Sequence, residues 1–391
     1  MKFVDEYRDP LLAQRLVDRI KAVATREWTI MEVCGGQTHS LLRHGIDDEL
    51  QPMVELIHGP GCPVCVTSLE AIDQAQQIAA LPGVTLATFG DMLRVPGSGS
   101  SLMASRAAGA RVRTVYSPLE AVQVARKNPD TNVVFFAVGF ETTAPSTALA
   151  VLQAERLALK NFFVLVSHVR VLPAMQSLME DPNHRIQGFL AAGHVCAVTG
   201  YSELELFAAE HRLPVAVTGF EPVDLLHGIL NVVTQLESGN FQVANCYGRT
   251  VERQGNEHAR RLVDRVYQAD NQIWRGIGRI SEGGYRLRSE YAEYDAVSRF
   301  CSQPADRASR LDAAQSQDDG PCLAGRVLTG QCKPCDCPEF GRSCTPDSPL
   351  GSPMVSSEGA CAAYFRYRVV SDGMQQNVIP QQSASTPGAL T

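Results

Sequence analysis

Val133-Val134-Phe135-Phe136-Ala137-Val138-Gly139-Phe140-Glu141-Thr142-Thr143 is a short β-branched and aromatic run that breaks at glycine just ahead of a helical stretch, Ser146–Leu159. A strand that turns through glycine into a helix is the unit from which parallel α/β layers are built. Runs of the same kind stand at Thr29–Val33, Met53–Ile57, Val84–Phe89, Val112–Tyr116, Phe162–Val166, Val195–Thr199 and Val215–Thr218. Helical stretches such as Leu69–Ala80, Pro118–Lys127 and Glu203–Glu210 separate them. Two of the helix starts carry capping signals, Ser117 with Pro118 and Glu120, and Ser202 with Glu205. The string Val217-Thr218-Gly219-Phe220-Glu221-Pro222 repeats the Gly-Phe-Glu strand end. The expected fold is α/β, with two similar small parallel-sheet α/β domains over residues 29–130 and 131–238. Past residue 240 the alternation fades into a C-terminal, irregular/helical region. Ser302–Gly320 reads as a connecting loop and Gly373–Thr391 as a disordered tail, since neither has much to bury.

A chain of 391 residues is too long for a single core of ordinary size. Its net charge of -7, with no clustered Lys and Arg, argues against a nucleic-acid partner. The first ten residues lack the apolar core of a signal peptide, and no apolar run reaches the roughly 18 residues of a membrane span. No membrane partner and a cytoplasmic location are therefore expected. In that reducing compartment the twelve cysteines point to metal binding, catalysis or redox exchange rather than to a disulfide framework.

Cys34-Gly35-Gly36-Gln37-Thr38-His39 follows a predicted strand and opens a helix, which sets the Cys34 sulfur at a helix N-terminus, where backbone N–H groups favour a thiolate. His39 offers an imidazole as ligand or proton partner. The plainer alternative is a buried cysteine in a strand-end turn. Gly59-Pro60-Gly61-Cys62-Pro63-Val64-Cys65 holds a thiol pair with the spacing for dithiol exchange, for chelation of a soft metal, or for half of a structural zinc site. Six more cysteines, Cys322, Cys332, Cys335, Cys337, Cys344 and Cys361, crowd into a Gly- and Pro-containing segment. Four thiolates suffice for a cubane iron–sulfur cluster, and zinc is the alternative. Glu141, Thr142 and Thr143 could line the same cleft, the alternative being a helix cap made by Thr142 or Thr143. His168 and His194 read as partly buried side chains outside the site, and Cys196, Cys246 and Cys301 as small residues without a motif.

Taken together, Cys34–His39, Gly59–Cys65, Gly139–Thr143, Cys344-Thr345-Pro346 and Met354-Val355-Ser356-Ser357-Glu358-Gly359-Ala360-Cys361 resemble the HypD family of hydrogenase maturation factors over about residues 10–370. The resemblance implies a third domain, formed by residues 1–28 and 239–372, that carries a [4Fe–4S] cluster on Cys322, Cys337, Cys344 and Cys361. Their spacing is C-x14-C-x6-C-x16-C, and Cys332 and Cys335 stand outside it as accessory thiols. It implies a scaffold and redox factor for the Fe(CN)2CO moiety of nickel–iron hydrogenase. Cys34 would be the ligand of a transient iron carrying CN and CO, and His39 would stand beside it as ligand or proton donor. Cys62 and Cys65 would be the dithiol relay. The partners so implied are the small chaperone HypC and the thiocyanate-presenting HypE. Whether such a factor counts as an enzyme is left open, and the other function considered is an iron–sulfur-dependent thiol–disulfide reductase.

Overall fold

The computed structural model describes residues 5–301 and 320–368. Eleven strands are present among them: β1 Trp28–Glu32, β2 Val54–His58, β3 Val84–Thr88, β4 Val112–Thr114, β5 Asn132–Gly139, β6 Phe162–His168, β7 Gly188–Ala192, β8 Val215–Thr218, β9 Val243–Asn245, β10 Tyr267–Trp274 and β11 Gly278–Leu287. One parallel sheet runs β2-β1-β7-β8-β9, a second runs β4-β3-β5-β6, and β10 and β11 form an antiparallel pair.

Alternation along the strands explains why both sheets are covered on both faces. In the first sheet Met31, Ile57, Phe189, Ala191, Val215 and Val217 enter one core, whereas Ile30, Leu56, Leu190 and Ala216 enter another on the opposite face. In the second, Phe135, Ala137 and Val164 point to one side and Val134, Phe136, Val138 and Leu165 to the other. The central positions of these parallel strands are apolar on both faces because each side of the sheet packs into a core.

The two-sheet expectation holds, but its boundaries do not follow the chain in order. The first sheet takes β1 and β2 and then waits for β7, β8 and β9, while the second is built from the intervening β3 to β6. A division at residue 130 would separate β3 and β4 from β5 and β6, which pair with them. The expected third region is also dispersed. Leu16, Val17 and Ile20 of the helix Pro10–Val23 pack with Leu226, Ile229 and Val233 of the helix Pro222–Ser238 in the first unit. Val263, Tyr267, Leu287 and Tyr291 pack with the second sheet. The six C-terminal cysteines lie in residues 320–368, which wrap across both units.

Two local expectations are corrected. Val195–Thr199 belongs to the helix Gly193–Thr199, and the strand is Gly188–Ala192 just before it. Ser202 is the first helical residue rather than the cap, and Glu205 pairs with Arg253. Ser117 does cap Pro118–Lys127, accepting from the Leu119 N–H, and Glu120 accepts from the Tyr116 N–H. The linker expected at 302–319 and the tail at 373–391 lie outside the described residues. No helix among the described residues is long and apolar enough to cross a membrane.

Candidate functional site

β1 ends at Glu32, and Cys34 is the N-cap residue of the helix Gly35–Arg43. β2 ends at His58, and the next turn delivers Cys62 as the N-cap residue of the short helix Pro63–Val66. Adjacent parallel strands therefore present both thiol turns at their C-terminal ends, where open α/β sheets place their ligands. The turns touch through backbone. The Gly35 N–H donates to the Gly61 carbonyl at 2.9 Å, and a Cβ on Gly61 would overlap the N and Cα of Cys34. Cys62 and Cys65 are joined as a disulfide.

Cys34 is buried, and its Sγ lies 3.5 Å from His194 Nε2. Burial pushes the thiol up to about 12; Glu32 and Glu358 add to the rise, and the N–H groups of Gln37 and Gly36 oppose it without prevailing. The expected thiolate at a helix start is thus outweighed by desolvation, and a thiol so placed gives up its proton most readily to a bound cation. The imidazole beside Cys34 is His194, whose pKa burial lowers. His39 instead bonds through Nε2 to the Tyr367 hydroxyl at 2.8 Å. His194 reads in the sequence as a lone, partly buried histidine, because the strand that delivers it, Gly188–Ala192, lies seven residues ahead of the expected Val195–Thr199. With the helix at Gly193–Thr199, His194 is in its first turn, at the end of β7, the neighbour of β1.

Beneath Cys34 lies a buried polar chain that sequence reading missed. Glu32 Oε2 accepts from the Cys34 N–H at 2.8 Å, and Oε1 accepts from the Thr38 hydroxyl and bonds His58 Nδ1 at 2.7 Å. His58 Nε2 bonds the Tyr364 hydroxyl at 2.9 Å, one turn beyond Cys361 in the helix Ala360–Arg368. Glu32→Ala takes the acceptor from the Cys34 N–H, the Thr38 hydroxyl and His58 Nδ1, of which only Thr38 keeps a second partner, the Cys34 carbonyl, so it is expected to cost about 3 kcal/mol, with Glu32→Gln intermediate; urea unfolding of the three proteins checks this.

Cys322, Cys337, Cys344 and Cys361 line one small cavity with Leu323, Val327, Phe340 and Met354. The Cys361 thiol is pushed far up by burial first, and then by Cys322, Cys344 and Cys337. Cys332 and Cys335 do not line the cavity, and Cys335 is exposed. Among the described residues no three His, Cys, Asp or Glu side chains are gathered for a single metal ion. Four thiols around one apolar cavity, Cys344 and Cys361 buried and Cys322 and Cys337 half-buried, suit a cubane, in which each iron takes one thiolate. The cavity wall is continuous with the dithiol turn: Gly351, Pro353 and Met354 line it, and the Ser352 hydroxyl between them donates to the Cys65 carbonyl at 2.5 Å. Gly35 packs directly on the Glu358 backbone.

Glu141 does not reach Cys34; its Oε1 accepts from the Val171 N–H at 2.9 Å and so caps the helix Val171–Glu180. Thr143 is the N-cap residue of the helix Ala144–Arg156 but makes no side-chain cap bond. His168 is fully buried, with neither ring nitrogen bonded among the described residues, and burial lowers its pKa to about 3. Between its ordinary 6.5 and that value the unfolded chain holds a proton that the folded chain refuses, so its effect is a loss of stability as pH falls. Glu141, raised by burial from 4.5 to about 7, acts in the opposite sense over the upper part of that window. Comparison with His168→Leu isolates the histidine: the variant should gain on the parent by about 1.4 kcal/mol per pH unit below pH 6.5, read from urea midpoints across that range.

Residues 11–368 match the family HypD, described as the Hydrogenase formation hypA family. Hydrogenase maturation factor HypD of Rhodobacter capsulatus is 45% identical over 375 residues, covering 94% of this chain and 98% of the relative. The protein of the same name in Escherichia coli strain K12 is 43% identical over 376 residues, covering 94% and 98%. Hydrogenase expression/formation protein HupD of Azotobacter chroococcum is 44% identical over 376 residues, covering 94% and 97%.

Proposed function

The chain belongs to the HypD family and acts in hydrogenase maturation, and from that premise we propose that it is the scaffold on which the Fe(CN)2CO moiety of nickel–iron hydrogenase is assembled. The observation that carries this reading is the position of the Cys62–Cys65 turn, backbone to backbone with Cys34 on one side and bonded through Ser352 to the four-thiol segment on the other.

In this reading the iron is cargo. Cys34 supplies a soft thiolate to it, with the small chaperone HypC completing its hold, and His194 stands close enough to ligate or to take the thiol proton. A thiocyanate presented by HypE gives up cyanide to the dithiol. Both thiols of Cys62 and Cys65 are oxidised to their disulfide, the thiocyanate sulfur leaves as a thiol, and hydrogen cyanide is released beside the iron. Two electrons and two protons return the disulfide to the dithiol. Cys322, Cys337, Cys344 and Cys361 would hold a [4Fe–4S] cluster, which when bound supplies single electrons at low potential. The buried Glu32–His58–Tyr364 chain fixes the Cys34 turn against the helix that carries Cys361.

The test is anaerobic co-purification with HypC, followed by Mössbauer and infrared spectroscopy. The expected result is two iron pools, one a cluster and one low-spin with cyanide bands that require the partner. Turnover of a protein disulfide without the partner, with no second iron pool, would overturn the scaffold in favour of a thiol–disulfide reductase.

A further inference from the structure

A second cavity, of about 270 Å³, lies beyond the C-terminal ends of β5, β6 and β7. Glu141 and Tyr267 line it, at 5% and 1% exposure. Glu141 Oε2 and the Tyr267 hydroxyl are buried polar atoms with no hydrogen-bond partner among the described residues. Buried polar atoms left unmet are costly enough that folded proteins almost always meet them with something. Arg170 lines the same space, and Val171, Leu172, Met175, Val195 and Leu204 make much of its wall apolar. Glu203 and Asp264 also line it and are offset by Arg260 and Arg288.

The chemistry of the polar wall selects an acceptor. The Tyr267 hydroxyl can donate, Arg170 is a cation, and burial raises Glu141 to about 7, so that near neutrality its carboxyl also has a proton to give. Three groups of that kind beside apolar walls match an anionic head on a hydrocarbon body. We infer that this cavity is a binding site for a small monocarboxylate with an apolar or aromatic body, its head held by Tyr267, Glu141 and Arg170. The site is separate from the thiol turns but shares a helix with them. Val195, Cys196 and Thr199 of Gly193–Thr199 line the cavity, while His194 of the same helix faces Cys34.

Calorimetric titration of the full chain with benzoate, hexanoate, benzamide and benzyl alcohol tests this. At least one of the two carboxylates should bind, about tenfold or more tighter than either neutral probe. Tyr267→Phe removes only a hydroxyl that is unmet in the unliganded fold, so its melting temperature should equal or exceed the parent's while its carboxylate affinity falls about tenfold. Arg170→Met should weaken the carboxylate by a similar factor and bring it level with benzamide. Absence of binding by both carboxylates, neutral probes that bind as well, or undiminished affinity in both variants would each overturn the inference and leave water as the occupant.

Discussion

Cys34→Ala is expected to keep its fold and to lose the cargo iron of the proposed scaffold. The substitution removes one buried sulfur and leaves intact the backbone N–H that donates to Glu32 and the carbonyl that starts the helix, so about 1 kcal/mol of stability is at stake. In the proposed scaffold the thiol is what the cargo would need, since low-spin iron with cyanide and carbonyl ligands calls for a soft donor. Cys34→Ser matches the shape but offers a hard oxygen, so it should fail alongside alanine. The measurement is Mössbauer quantitation of the non-cluster iron and cyanide-region infrared absorption of the complex with HypC: both signals should vanish in the two variants, while the cluster's visible absorption persists. Retention of cyanide bands in Cys34→Ala would remove Cys34 from the assembly site. His194→Ala is expected to reduce iron loading without abolishing it.

Gly61→Ala is expected to carry a large structural penalty. The new methyl carbon would overlap the N and Cα of Cys34 and stand 2.6 Å from its carbonyl carbon. These are backbone atoms of a helix N-cap residue, so no rotamer change relieves the clash. Either the Cys62 turn or the Cys34 turn must move, with loss of the Gly35–Gly61 hydrogen bond. The expected cost is about 4 kcal/mol, or failure to accumulate folded chain, read by urea unfolding. Gly83→Ala is the contrast: its φ of +72 strains an alanine, but nothing lies within 4 Å of the new carbon, so about 1 kcal/mol is expected.

What the sequence discloses about this molecule is its local grammar. The strands at Val84, Val133, Phe162 and Val215 begin within a residue of expectation because β-branched and aromatic runs bounded by glycine leave few alternatives. Val195–Thr199 misleads for the same reason: three of its five residues are β-branched, yet the chain there caps a strand rather than continuing one. Propensity yields to position. The β10–β11 pair escapes notice because only one of its faces packs, leaving a polar, weakly periodic string. Sheet membership is a matter of distant pairing, and nothing near β1 announces that its second neighbour is β7. The chemistry divides the same way. The cysteine turns are visible as motifs, whereas His194 beside Cys34 and the Glu32–His58–Tyr364 chain depend on which strand ends share an edge.

The interleaved sheets have a consequence for how a nascent chain emerges from the ribosome. All four strands of the inserted sheet exist once residue 168 has been made, while the outer sheet holds only β1 and β2 and lacks its centre, β7. Because domains generally consolidate as they are synthesised and late pairings of remote segments are slow, Cys34, Cys62 and Cys65 ride on an unfinished edge through much of translation. His194 and the four-thiol segment arrive only afterwards, so the chain closes around its sulfur chemistry last.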